Sequence, residues 1–138
     1  MIVLDTNVLS ETLRRSPSPV VLEWLRSMPL AELFTTTITE GEMLYGLACL
    51  PEGARRRALE ADVLPLLAKD FAGRILPFDS AAAREFADIA ANRRRRGRPI
   101  SEADARIAAI TGSRGACLAT RDEAGFSDCG LQIINPWA

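Results

Sequence analysis

Met1-Ile2-Val3-Leu4-Asp5-Thr6-Asn7 runs the apolar stretch Ile2–Leu4 into an acid. A short apolar run closed by polar residues reads as a buried strand. Asn7 to Leu13 then reads as a helix, ended by Arg14-Arg15-Ser16-Pro17. The step from strand to helix recurs along the chain. Further strands are expected at Leu33–Thr37, Arg74–Pro77, Ala116–Ala119 and Leu131–Ile134, from their apolar or β-prone runs. Helices are expected at Pro19–Met28, Thr39–Leu50, Ala54–Lys69 with a kink at Pro65, Asp79 or Ser80–Arg95, and Ser101–Thr111. A short turn or helix is expected at Glu123–Phe126. No hairpin signal joins two strands. The pattern predicts an α/β protein: a three-layer fold with a central parallel sheet of about five strands flanked by helices.

The chain has 138 residues, the size of one domain. A single domain over residues 1–138 is expected, with no repeat, linker or low-complexity tail. The 17 basic and 18 acidic residues nearly cancel, so nucleic acid would have to be held by local patches. Lys69 is the only lysine and the other basic residues are arginine. Arginine suits forked phosphate contacts, although a GC-rich coding bias gives the same uniformity. The absence of histidine excludes Ser-His, Cys-His and histidine–zinc chemistry. Cys49, Cys117 and Cys129 form no C-x-x-C pair and no disulfide framework. No basic-then-apolar leader precedes the first strand, and no apolar stretch approaches the ~20 residues of a membrane span. A soluble cytoplasmic protein is expected.

Four acids stand where a strand or loop meets the start of a helix or turn: Asp5, Glu42, Asp104 and Asp122. In an open parallel sheet such positions converge on one crevice. Each also has a purely structural reading. Asp5 caps the first helix. Thr39-x-x-Glu42 and Ser101-x-x-Asp104 have the form of capping boxes. Asp122 caps the turn after the fourth strand. Brought together, however, four carboxylates repel one another unless cations bind between them. Hard oxygen donors suit Mg2+ or Mn2+, as one ion or as two about 3.5–4 Å apart. That points to phosphodiester chemistry.

Asp5-Thr6-Asn7, Thr39-x-x-Glu42, Ala103-Asp104 followed by Ile107-Ala108-Ala109, and Thr120-Arg121-Asp122 resemble the four acidic motifs of PIN-domain nucleases. The resemblance spans the whole chain. Leu76-Pro77-Phe78-Asp79 and Asn135-Pro136-Trp137 resemble the VapC toxins, above all their FitB-like branch. The resemblance implies a metal-dependent ribonuclease that is the toxin of a type II toxin–antitoxin pair. It implies an RNA substrate, a small DNA-binding antitoxin that blocks the active site, and a homodimer. It makes Asp5, Glu42, Asp104 and Asp122 the catalytic acids and metal ligands, with Asp5 and Asp104 foremost. Thr6, Asn7 and Thr120 match the positions that support those acids.

Arg93, Arg94, Arg95, Arg96 and Arg98 form the densest basic cluster. It reads either as a solvated helix end or as a grip on RNA phosphates beside the acids. Trp24 and Trp137 read as packing residues. Gly46, inside a helix, reads as a place of close helix contact with an antitoxin or a second subunit. Rival functions lack their residues. Asn7 stands where a haloacid-dehalogenase phosphatase needs a second acid, and Lys69 is misplaced for a receiver domain. Neither G-x-x-x-x-G-K-[ST] nor G-x-G-x-x-G occurs. The remaining alternative is a non-catalytic PIN-like module that binds RNA or protein without cutting.

Overall fold

The computed structural model describes residues 1–138. Five strands, β1 (Ile2–Leu4), β2 (Leu33–Thr36), β3 (Ile75–Leu76), β4 (Cys117–Ala119) and β5 (Ile133–Ile134), form one sheet in the order β3-β2-β1-β4-β5. Every neighbouring pair is parallel. Six α-helices complete the fold: α1 (Thr6–Thr12), α2 (Pro19–Ser27), α3 (Thr37–Ala48), α4 (Ala54–Pro65), α5 (Ser80–Arg95) and α6 (Glu102–Ser113).

Successive strand residues face opposite sides, so a strand covered on both sides must be apolar throughout. Val3 and Leu118 join one buried cluster with Ile89 of α5 and Ile107 and Ile110 of α6. Leu4 and Ala119 join the other, with Val8 of α1, Val21 of α2, Met43 and Leu47 of α3 and Val63 of α4. Two cores, one per sheet face, account for the unbroken hydrophobicity of Ile2–Leu4 and Cys117–Ala119.

The chain runs outward from β1 to β3 on one side, then returns to lay β4 and β5 on the other. The order therefore reverses between β1 and β4, where open α/β sheets bind ligands. Register fixes which residues meet there. Leu4 pairs with Ala119, and Asp5 N–H donates to Ala119 O at 2.9 Å. Asp5 and Thr120 thus emerge side by side.

Three local features differ from the expectation. Helix α3 begins at Thr37, two residues early, because the buried Thr36 hydroxyl accepts the N–H of Thr39 at 3.1 Å and caps the helix itself. The α-helical ladder of α4 stops at Pro65 and widens into a π-turn over Leu66–Asp70; proline cannot donate within an α-helix. A 3-10 turn at Leu30–Glu32, unsignalled by periodicity, leads into β2. Helix α5 ends as expected: Gly97 adopts a φ of 72°, the left-handed conformation that favours glycine after a helix. No helix is long and apolar enough to cross a membrane.

Candidate active site

Asp5 is the fixed point of the site. It is buried, at 5% exposure. Its Oδ1 accepts the N–H of Thr6 at 2.8 Å, which caps α1. Its Oδ2 accepts the Thr120 hydroxyl at 2.8 Å and the Asn7 side-chain amide at 3.3 Å. Capping and clustering are therefore not rivals at Asp5, since each oxygen serves one of them. Burial pushes its carboxyl up from 3.8 to about 6, against the downward pull of Thr120 and Thr6, and the charges of Asp104 and Glu42 raise it further.

Thr120 uses its whole hydroxyl. It donates to Asp5 and accepts from Asn7 Nδ2 at 3.2 Å and from the N–H of Asp122 at 3.1 Å. Asn7 completes the ring through its Oδ1, which accepts the N–H of Arg121 at 3.3 Å. The structure thus draws Thr6, Asn7 and Thr120 around Asp5 and fixes its orientation.

Glu42 is exposed on α3. The capping reading of Thr39-x-x-Glu42 fails, because Thr36 is the cap and Thr39 lies inside the helix. Glu42 is free to reach across to α1, where Thr6 Oγ1 donates to its Oε1 at 3.0 Å. A carboxylate only accepts, and that sets the direction of a chain of hydroxyls. Thr36 donates to Thr39 at 3.4 Å, Thr39 to Thr6 at 3.0 Å, and Thr6 to Glu42. The threonine run that reads as strand propensity is also this wire.

Asp104 lies in the first turn of α6, where Ser101 Oγ accepts its N–H at 3.2 Å. It is half-buried, and burial raises its carboxyl above the usual range; the charge of Asp122 adds to this, while Ser101 and Arg93 oppose it. Asp122 is exposed and caps its own turn, its Oδ1 accepting the N–H of Gly125 at 2.9 Å. A Cβ at residue 125 would stand 2.6 Å from the Asp122 Cγ. Glycine is required there for the carboxylate to lie over the turn.

The four acids influence one another in sequence, Glu42 and Asp104 on Asp5 and Asp122 on Asp104. None belongs to any of the seven ion pairs of the chain, although it carries 17 basic side chains. An all-oxygen, uncompensated donor set fits a hard divalent cation. As their side chains are now turned, no three acids are gathered closely enough to hold one ion. Glu42 and Asp122 are exposed and Asp104 is half-buried, whereas Asp5 is buried and held by its hydrogen bonds.

The arginine cluster divides. Arg93 is not a surface residue: at 5% exposure it is buried. Its guanidinium donates to the carbonyls of Arg98 at 2.6 Å, Gly125 at 2.8 Å and Ser127 at 2.9 Å. It clamps the end of α5 to the turn that carries Asp122. Its position was readable in the sequence, since Ala82, Phe86, Ile89 and Arg93 share one helical face. Arg96 and Arg98 approach Asp128 at 3.8 and 3.5 Å. Arg94 and Arg95 remain exposed.

Beside the acids, a groove of about 370 Å³ opens between α1, α3 and α4, lined by Thr6, Leu13, Glu42, Met43, Gly46 and Leu59 among others. Nothing lies within 4 Å of where a Gly46 Cβ would be. Gly46 widens the groove.

Parallel strands ordered 3-2-1-4-5, helices on both faces and acids at the switch point define a PIN domain. The chain belongs to that family, whose model, described as "PIN domain", matches residues 2–130. Within it, the chain is 45% identical to the VapC ribonuclease Y4jK of Sinorhizobium fredii, over 99% of this chain and 98% of that protein. It is 40% identical to Toxin FitB of Neisseria gonorrhoeae, over 99% of each. Among solved structures, FitAB bound to an IR36 DNA fragment superposes with a TM-score of 0.94 at 38% identity, covering 100% of this chain and 96% of that one.

Proposed function

We propose that this chain is the toxin of a toxin–antitoxin pair and acts as a Mg2+- or Mn2+-dependent endoribonuclease, with all residues 1–138 forming one catalytic domain. The observation that carries the reading is that Asp5, fixed beside the β1/β4 switch, feels the charges of Asp104 and Glu42, that Asp104 feels that of Asp122, and that none of the four makes an ion pair. Relatives named as a VapC ribonuclease and a FitB toxin support it.

Asp5 and Asp104 would hold the first ion, with Glu42 and Asp122 completing its shell or that of a second. Bound there, the metal supplies Lewis acidity toward the scissile phosphate and lowers the pKa of water. The chain's own residues do the rest. Thr6, Asn7 and Thr120 keep Asp5 in one rotamer through three hydrogen bonds. Thr6 holds Glu42 toward the same edge. Glu42 and Asp122, the two exposed acids, face incoming substrate and orient the attacking water for in-line displacement at phosphorus.

The partner is an antitoxin with a DNA-binding module, as the FitAB–DNA complex leads one to expect. Its toxin-binding segment would lie in the apolar groove beside Thr6 and Glu42 and cover the acids. A homodimer working in the cytoplasm completes the proposal.

The test uses the purified chain and single-stranded RNA. Cleavage is expected with Mg2+ or Mn2+, and none with chelator or in Asp5→Asn or Asp104→Asn. Undiminished cleavage by either variant would refute the site. RNA binding with no cleavage under any metal would instead establish the non-catalytic module.

A further inference from the structure

We propose that Arg121, seated on the indole of Trp137, is a phosphate-binding subsite for single-stranded RNA at the mouth of the acid site; the proposal rests on the nuclease reading above. Arg121 stands between two residues of the site. Thr120 before it donates to Asp5, and Asp122 after it is one of the four acids. Its own N–H donates to Asn7 Oδ1 at 3.3 Å, which ties its backbone to α1.

The side chain is exposed, yet held in place. Its guanidinium carbon lies 5.1 Å from the Trp137 ring centroid, within the range where a cation is drawn to the face of an indole. Trp137 is fixed in turn. Its backbone N–H donates to Asn135 Oδ1 at 2.9 Å, and its side chain packs against the α1–α4 core. Asn135 also donates to Glu123 at 2.9 Å.

Two other arginines lie over aromatic rings, and both are already engaged. Arg74 donates to the carbonyls of Leu30, Leu33 and Asp70. Arg106 pairs with Glu102 at 3.4 Å. Arg121 makes no ion pair. Glu11, whose carboxyl it helps to depress, is held first by the Ser18 N–H and by Arg14. A fixed guanidinium with free N–H groups beside an anionic site suits a phosphate, which it can grip through two parallel bonds. Because the guanidinium covers one ring face, the contact is to the RNA backbone, where it positions the strand without reading its sequence.

The experiment measures binding of a labelled single-stranded RNA oligonucleotide of mixed sequence to the full chain carrying Asp5→Asn, which silences cleavage, across a salt series. Adding Arg121→Ala is expected to weaken binding by roughly tenfold or more, the scale of one charge-assisted contact. It should also lower the slope of log affinity against log salt by about 0.7, one phosphate on a single strand. Trp137→Leu should weaken binding less, by roughly two- to fivefold, with the slope retained. A structural defect would not change the slope selectively, and melting curves of each variant check the fold. Unchanged affinity and slope in Arg121→Ala, with wild-type protein cleaving RNA, overturns the subsite alone. Failure of the wild type to cleave RNA with any divalent metal overturns the nuclease reading and the subsite with it.

Discussion

Replacing Asp5 by asparagine should stabilise the metal-free protein while destroying its activity. The magnitude follows from the shift of its carboxyl from 3.8 to about 6. Two units correspond to about 3 kcal/mol of cost for keeping this buried group ionised at neutral pH. Asparagine keeps an acceptor for the Thr6 N–H, but its amide then faces both the Thr120 hydroxyl and the Asn7 amide, and two hydrogen bonds worth about 1 kcal/mol each are lost. A net gain of about 1 kcal/mol remains, or roughly 3–4 °C in melting temperature for a domain of this size. The sign depends on pH. Between about pH 4 and 6 the folded wild type binds more protons than the unfolded chain, so its stability falls as pH rises through that window and stays lower above it. Asp5→Asn lacks this slope. Asp104, also raised, adds the same slope to both proteins. Glu11, lowered by the Ser18 N–H, contributes stability to both that is lost only as pH falls below about 4.5. Melting curves in chelator across about pH 4–8 should therefore show the variant's advantage growing up to about pH 6.5 and then levelling. A variant less stable than wild type at pH 8 would refute the reasoning, as would a difference that ignores pH.

Gly125→Ala places a methyl group against the Asp122 carboxylate and turns that exposed side chain off its cap; it should cost about 1 kcal/mol or less and cut cleavage far more than this predicts, which paired melting and rate measurements would show. Arg93→Met removes three bonds to carbonyls that hold the same turn, and urea unfolding should report a loss of about 2–4 kcal/mol. Thr120→Val deletes the hydroxyl that lowers the Asp5 carboxyl; the acidic limb of the pH–rate profile should move to higher pH, and a fixed limb would contradict that role.

The sheet could be read from the sequence because its strands are buried on both faces. Ile2-Val3-Leu4 and Cys117-Leu118-Ala119 are apolar throughout, which left little doubt about a parallel sheet, and Asp5 stood out as the acid that closes the central strand. The start of α3 was harder. Thr35, Thr36, Thr37 and Thr39 suit a strand, a cap and a helix start equally, and the choice was made by a tertiary bond from Thr35 Oγ1 to Leu4 O at 3.1 Å, which holds the strand up to Thr36. The arginine run misled in a different way. Consecutive charges suggest a surface, whereas α5 turns one of every three or four residues inward, and Arg93 falls on that face. Arg121 and Trp137 are far enough apart in the chain that only the β4–β5 pairing brings them together. The present rotamers of Glu42, Asp104 and Asp122 could not be read at all, because exposed side chains answer to what binds them.

Direct titration of Mn2+ into the purified, metal-free chain, followed by calorimetry or paramagnetic resonance, tests whether these acids act together. Saturable binding of one or two ions is predicted, weakened at least about tenfold in Asp5→Asn and in Asp104→Asn, the scale that even an outer-sphere change produces. Equal Mn2+ affinity in wild type and both variants, or no saturable binding by any of them, would contradict the shared metal site.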